Sequence, residues 1–268
     1  MIIDCHTHIF NDEQLATYRT RGGSHVDRII TIHAWDLTKE DGYALTIGEL
    51  IAFAKSKPNV SVIASVDFLG PLEPQVNAIE SQFQAGEIVG VKLYPGYQPF
   101  YVTDTRVDPI VSLCAKFKKP LVIHGGDVYD PKGTAQLQYS HPIHIDELAV
   151  RHPDCPIVIA HFGFPYLLET ANIVAKNKNV YTDISATVVT LDRASDVRAL
   201  RDQFIADLKR AFTYFPDVRG KTMFGTDYAG EHTYLNQVTP YVDVVKKVFR
   251  PAQRERVLSG LAQELFFS

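Results

Sequence analysis

Short apolar runs rich in β-branched residues recur along the chain and alternate with longer stretches of helical periodicity. The runs fall at 2–8 (IIDCHTH), 29–34 (IITIHA), 60–67 (VSVIASVD), 89–94 (VGVKLY), 120–125 (PLVIHG), 156–161 (PIVIAH), 179–184 (NVYTDI) and 221–227 (KTMFGTD). Most are almost continuously hydrophobic, the pattern of strands in a parallel sheet covered on both faces. Helices are predicted between them. In TIGELIAFAKSK, Thr46 and Glu49 have capping-box spacing ahead of Leu50, Ile51, Phe53 and Ala54. In DPIVSLCAKFKK, Pro109 opens a helix whose Ile110, Leu113, Cys114 and Phe117 share one face. Similar patterns occupy roughly 74–85, 166–176, 197–213, 235–248 and 252–266. Residues 9–28 follow neither period; their RTRGGSHVDR reads as an exposed loop with a flexible point at Gly22 and Gly23.

Strand–helix alternation repeated about eight times predicts an α/β fold, a TIM-type (β/α)8 barrel in a single domain over residues 1–268. The rival is a doubly wound open sheet, which usually has fewer strands and often a glycine-rich phosphate loop. Neither GxGxxG nor GxxxxGK[ST] occurs here.

Composition narrows the function classes. A chain of 268 residues that is 46% hydrophobic can bury a sizeable core. A net charge of −4 without a long basic run argues against nucleic-acid binding. No apolar stretch is long enough to span a bilayer, and no basic-then-apolar leader precedes the first strand, so a cytoplasmic protein is expected. Cys5, Cys114 and Cys155 form no CxxC pair and fit buried thiols in a reducing compartment.

The unusual polar residues fall late in the strands. His6 and His8 end the first run, His33 the second and Asp67 the third; Lys92, His124, His161, Asp183 and Asp227 follow at or near the ends of the others. In a barrel these ends converge on one mouth, where catalytic residues are usually found. Asp4, His6 and His8 alternate, so a regular strand would aim all three into the barrel. A lone histidine is more often a satisfied core or surface residue, and His25, His141, His144, His152 and His232 are read so. Several imidazoles and carboxylates aimed at one cavity are costly without partners. A divalent cation satisfies them together, since neutral imidazole nitrogen and carboxylate oxygen are zinc donors. His6 and His8 are then two arms of a metal clamp.

At this point the sequence resembles the amidohydrolase superfamily, in particular its amidohydrolase-related (amidohydrolase 2) branch of aminocarboxymuconate-semialdehyde decarboxylase-like proteins. DCHTHIF at 4–10, GVKLYP at 90–95, LVIHGG at 121–126, VIAHFG at 158–163, VYTDIS at 180–185 and FGTDYAG at 224–230 carry the resemblance, in family order. It implies that His6, His8, His124 and Asp227 bind a catalytic divalent ion, with zinc first and manganese or iron as alternatives. It implies one ion rather than two, with Lys92 and His161 available to a second. Asp227 and His161 are the implied catalytic residues, Asp227 taking a proton from water. Lys92 is either a metal bridge once carboxylated, a buried ammonium paired with an acid such as Asp67, or a contact for a substrate carboxylate. Asp4 is read as support rather than ligand, and Asp183 as either orienting His161 or structural. Two departures stand out: KLYP replaces the KLHP of many relatives, placing Tyr94 at the mouth, and LSGLAQELF lacks a glycine–asparagine pair, with its helix expected on the barrel's outside.

The ligand set serves hydrolysis of a small lactone, ester or amide, or non-oxidative decarboxylation of an unsaturated or aromatic acid. Decarboxylation profits from an arginine in the pocket, for which Arg19, Arg21 and Arg193 are the candidates. Hydrolysis is the expected reaction on a small-molecule substrate. Lys92, Tyr94 and Trp35 are the candidate substrate contacts, Tyr97, Gln98 and Tyr129 further lining residues, and 125–142 a long loop able to act as a lid. A barrel that has lost catalysis and serves as a binding module is the competing class, and none of the implied ligands is missing. Homodimers are common in the resembled family.

Overall fold

The computed structural model describes residues 1–34, 45–128, 133–188, 194–229 and 238–268, the side chains of 194–196 excepted. Eight strands, β1 (Ile3–Thr7), β2 (Arg28–Ile32), β3 (Val60–Ser65), β4 (Gly90–Leu93), β5 (Leu121–Ile123), β6 (Ile157–Ile159), β7 (Val180–Asp183) and β8 (Thr222–Met223), pair in chain order. Every pairing is parallel. The sheet closes through backbone bonds from Cys5 N–H to Phe224 O (3.1 Å), Asp227 N–H to His6 O (2.7 Å) and His8 N–H to Tyr228 O (2.6 Å). The expected (β/α)8 barrel is therefore the fold, with helices between the strands as crossovers of parallel sheets require.

Alternate strand residues divide between two apolar clusters. Ile29, Val62, Val91, Leu121, Ile157 and Val180 pack outward against the helices. Ile30, Ile32, Ile63, Val122, Val158 and Met223 fill the lower interior together with Leu261, Ala262, Leu265 and Phe266. The C-terminal helix (Leu261–Phe267) thus plugs the lower end of the barrel instead of lying on its outside. Lys119, just before β5, donates to Phe266 O and Ser268 O at 3.0 Å each, and the Arg28 guanidinium covers the Phe267 ring at 4.3 Å. The apolar face of that helix has an apolar floor to cover, which is why it docks there.

Two local departures shape the upper end. β1 carries a bulge: Asp4 pairs with Ile29 and Thr7 with Thr31, three steps against two. Cys5 joins the interior cluster, His6 also enters the barrel, and Asp4 turns out toward the helix that follows. The expectation that Asp4, His6 and His8 share one face fails for this reason. The segment 9–28 is also ordered. Asn11 caps helix α1 (Asp12–Thr20) by accepting from Gln14 N–H at 2.9 Å, and acidic Asp12 and Glu13 occupy its first turn. Tyr18 from α1 is fully buried and donates to Asp4 Oδ2 at 2.8 Å. Gly23 is no flexible point: a Cβ there would sit 2.3 Å from the Tyr18 ring.

Candidate metal centre

Asp227 is the hub. The backbone turns left-handed at this residue (φ 60°) just past β8 and drives its carboxylate between the first two histidines. Asp227 Oδ1 lies 3.3 Å from His6 Nε2 and 3.2 Å from His8 Nε2. The distal ring nitrogens fix the tautomers. His8 Nδ1–H donates to Ile32 O at 3.0 Å, and His6 Nδ1–H to Asp183 Oδ2 at 3.0 Å. A carbonyl and an ionised carboxylate only accept, so both Nε2 atoms carry lone pairs. Three electron-rich atoms converge, and Asp227 Oδ1 is buried without a hydrogen-bond donor. The Lys92 ammonium faces His6 Nε2 at 3.3 Å but leaves Asp227 Oδ1 without a donor, and a divalent cation would satisfy the three atoms together. Donors on a tetrahedral zinc at 2.0–2.1 Å lie about 3.3 Å apart, and the two oxygen–nitrogen separations here match that. The residues present fit a divalent cation.

Burial alone would raise the Asp227 carboxyl, but the neighbouring imidazoles of His8, His161 and His6 hold it well below the usual carboxylate range. Burial also lowers His6, with the Lys92 ammonium adding to the effect. Lys92 is fully buried, its Nζ 3.3 Å from His6 Nε2 and 5.2 Å from the centre of the Tyr94 ring. Burial pulls this ammonium down to about 8 against the opposing fields of Asp183 and Asp227. Asp67 is not its partner: Asp67 Oδ1 accepts from Leu69 and Gly70 N–H in its own turn. Tyr94 donates to His33 O at 3.0 Å and its ring screens Lys92.

His161 and His124 stand on the far wall. His161 also has left-handed backbone (φ 61°), followed by Phe162 at φ 49°. Such conformations cost roughly 1–2 kcal/mol per residue, offset here by the His161 N–H bond to Asp183 Oδ1 at 3.1 Å. Burial pushes the His161 imidazole down to about 3. Its ring centre is 4.7 Å from that of His6 and 5.0 Å from that of His124. His124 Nε2–H donates to Asp127 O at 2.9 Å, leaving Nδ1 as its lone-pair nitrogen. Among the described residues, the groups whose donor atoms lie within 4.8 Å of one another are His6, His8 and Asp227, and His6, His161 and Asp183. His124, expected as a ligand, falls outside both groups, its ring centre 5.0 Å from that of His161.

Some residues lie elsewhere. His33 bonds Ser65 Oγ (2.7 Å) and Leu45 O (3.0 Å) rather than joining the cluster. Gln98 is buried and ties loops together through Phe68 N–H and Val66 O. Tyr97 stacks edge-on against His124 at 4.9 Å. Arg19 donates to Gly23 O and Val26 O, beside Met1, Arg28 and Asn59 at the opposite end of the barrel. In the 125–142 loop, Gly126 N–H donates to Ser140 O at 2.8 Å, and a Cβ on Gly126 (φ 96°) would fall 1.9 Å from Phe164 O. Trp35, Tyr129 and Arg193 lie outside the described residues.

Of the supports, the sequence pointed to Asp4 but not to Ser185. Asp4 accepts from Thr226 N–H (3.0 Å) and Thr226 Oγ1–H (2.7 Å), clamping the Gly-Thr-Asp turn to β1. Burial raises Asp4 to about 7, against four opposing hydrogen bonds. Ser185 touches Asp183, His161 and His6. Its position two residues after an inward aspartate was the available signal.

The Amidohydro_2 family model, described as amidohydrolase, matches residues 3–267. The chain belongs to the amidohydrolase family. Solved structures of the same fold include an uncharacterized TIM-barrel protein from Bordetella bronchiseptica, 17% identical with a TM-score of 0.74 over 98% of this chain and 97% of that one. Another is a probable 2-pyrone-4,6-dicarboxylic acid hydrolase from Acinetobacter baumannii, 15% identical, TM-score 0.66, covering 99% and 98%. A third is the 2,6-dihydroxybenzoate decarboxylase from Rhizobium, 13% identical, TM-score 0.66, again covering 99% and 98%. No curated protein sequence gives a significant match. No described helix of this amidohydrolase is long and apolar enough to cross a membrane.

Proposed function

We propose that this amidohydrolase is a metal-dependent hydrolase of a small lactone, ester or amide. The observation that carries the reading is the buried Asp227 Oδ1, without a donor and flanked by two imidazole lone pairs. His6, His8 and Asp227 would hold the ion, with His124 as a fourth donor through Nδ1. Zinc suits this mixed nitrogen and oxygen set best, with manganese or iron as alternatives. A single ion is favoured because the second donor group is satisfied without one. Asp183 Oδ2 accepts a hydrogen bond from His6 Nδ1–H, and Asp183 Oδ1 accepts from His161 N–H, Ser185 N–H and the Ser185 hydroxyl.

When bound, a divalent cation supplies Lewis acidity toward a substrate carbonyl oxygen and makes water more acidic. The chain supplies the proton acceptors. Asp227, ionised at neutral pH, takes a proton from the attacking water. His161, neutral and at the same mouth, is the second acceptor. Lys92 lies beneath the histidines as a buried countercharge to Asp183 and Asp227. Tyr94 and Tyr97 form the aromatic wall. Protonation of a carbon, which decarboxylation needs, would call for a donor where these residues accept. Arg19, one of the candidate partners for a leaving carboxylate, is held at the opposite end of the barrel. Three buried, unpaired cysteines support a reducing, cytoplasmic location.

The test is a panel of lactones, esters, amides and unsaturated acids run on zinc-loaded protein, with released CO₂ followed separately. Turnover of a lactone, ester or amide without CO₂ is expected; CO₂ release from an acid as the only activity would replace the proposal.

A further inference from the structure

We propose that Ser185 is a positioning residue that fixes His161 as its Nδ1–H tautomer, so that the Nε2 lone pair is the atom presented to the reacting groups. The inference follows from a proton count on four side chains. Asp183 is an ionised carboxylate and can only accept. Ser185 Oγ makes its shortest contact with Asp183 Oδ1. A serine oxygen carries one proton, and two oxygens this close repel unless that proton lies between them. The Ser185 hydroxyl therefore donates to Asp183. Its lone pairs remain, and His161 Nδ1 lies 2.9 Å away. That contact is a hydrogen bond only if His161 Nδ1 carries the proton. The other tautomer would set a nitrogen lone pair against an oxygen lone pair in a fully buried place, where an unmade bond is expensive.

The same carboxylate locks the neighbouring ring. Asp183 Oδ2 accepts from His6 Nδ1 at 3.0 Å. One aspartate thus sets His6 directly and His161 through the serine, leaving an Nε2 lone pair on each ring. The left-handed backbone at His161 brings the ring within reach of Ser185, and the His161 N–H bond to Asp183 holds it there. Neither contact depends on a metal. The inference deepens the hydrolase reading, since an acceptor nitrogen is what proton removal from water needs, yet it is measured without any substrate.

The experiment is long-range ¹H–¹⁵N correlation of the imidazole nitrogens in ¹⁵N-labelled, chelator-treated full-length protein at neutral pH. His161→Gln identifies the signals. In the wild type, His161 is expected to show a protonated Nδ1 and an unprotonated Nε2. In Ser185→Ala the signals should move to a mixture of both tautomers, and Ser185→Thr, which keeps a hydroxyl, should restore them. If Ser185→Ala does not fold, Ser185→Cys, whose thiol is a weak partner, takes its place and should show the same mixture. With zinc restored and a substrate in hand, kcat of the alanine variant should fall about 10- to 100-fold, the range for lost support of a site residue, with KM little changed. A wild-type His161 protonated at Nε2 would overturn the proposal. So would a His161 that stays wholly Nδ1–H once the hydroxyl is gone. Neither result would touch the substrate panel, so the two proposals fail separately.

Discussion

At the scale of single residues, the proposed roles of Asp227 and His161 separate by what each would do besides accept a proton. Asp227 faces His6 and His8 directly. Asp227→Asn keeps the size but removes the anion and the base together. We expect it to fold, to lose most of its bound metal, and to fall at least about 10²–10⁴-fold in turnover. Wild-type rates in that variant would remove Asp227 from the chemistry. His161 is tied to Asp183 and Ser185, a group already hydrogen-bonded without an ion. His161→Ala should therefore keep about one metal per chain while losing activity by a similar factor. Loss of half the wild-type metal would instead show a two-ion site.

Among the elements, the strand pattern was legible because buried parallel strands are written as nearly continuous apolar runs, and the eight runs match the eight strands. The clustering of the candidate site residues was legible because a barrel gathers strand ends. Three features were hidden. The β1 bulge is a backbone event at Asp4–Thr7 with no compositional mark, and it moved Asp4 from the expected interior to the contact with Tyr18. Helix α1 buries only Gln14 and Tyr18, too few apolar positions to show a helical period. The C-terminal helix was recognised as a helix, but its docking place depends on the apolar floor that six different strands assemble. That docking is testable. Phe266 is 1% exposed in the lower cluster, and Phe266→Ala should cost about 3–5 kcal/mol of stability. A change under about 1 kcal/mol in urea unfolding would place the ring outside the core.

For the whole molecule, the cluster of buried histidines sets the response to acid. His6, His124 and His161 are all lowered by burial, His161 to about 3, while an unfolded histidine sits near 6.5. Unfolding then takes up protons, so their contribution is complete above pH 6.5 and is lost as pH falls below it. His161 alone should lower stability by about 1.4 kcal/mol per pH unit between 6.5 and 3. Asp4 works oppositely. Its folded value near 7 exceeds the 3.8 of the free side chain, so its share is greatest at low pH and declines as pH rises from about 4 to 7. The histidines outnumber it, and chelator-treated protein should lose urea resistance from pH 6.5 to pH 5. A flat profile would mean that these rings are not buried neutral together.

The account rests on one ion held by residues from the two ends of the chain. Its most direct test is elemental analysis of protein purified without chelator, beside His8→Ala and Asp227→Asn prepared identically. We predict about one zinc, manganese or iron per wild-type chain and a large loss in both variants. Less than about a tenth of an equivalent in an active wild type, or unchanged metal in both variants, would contradict it.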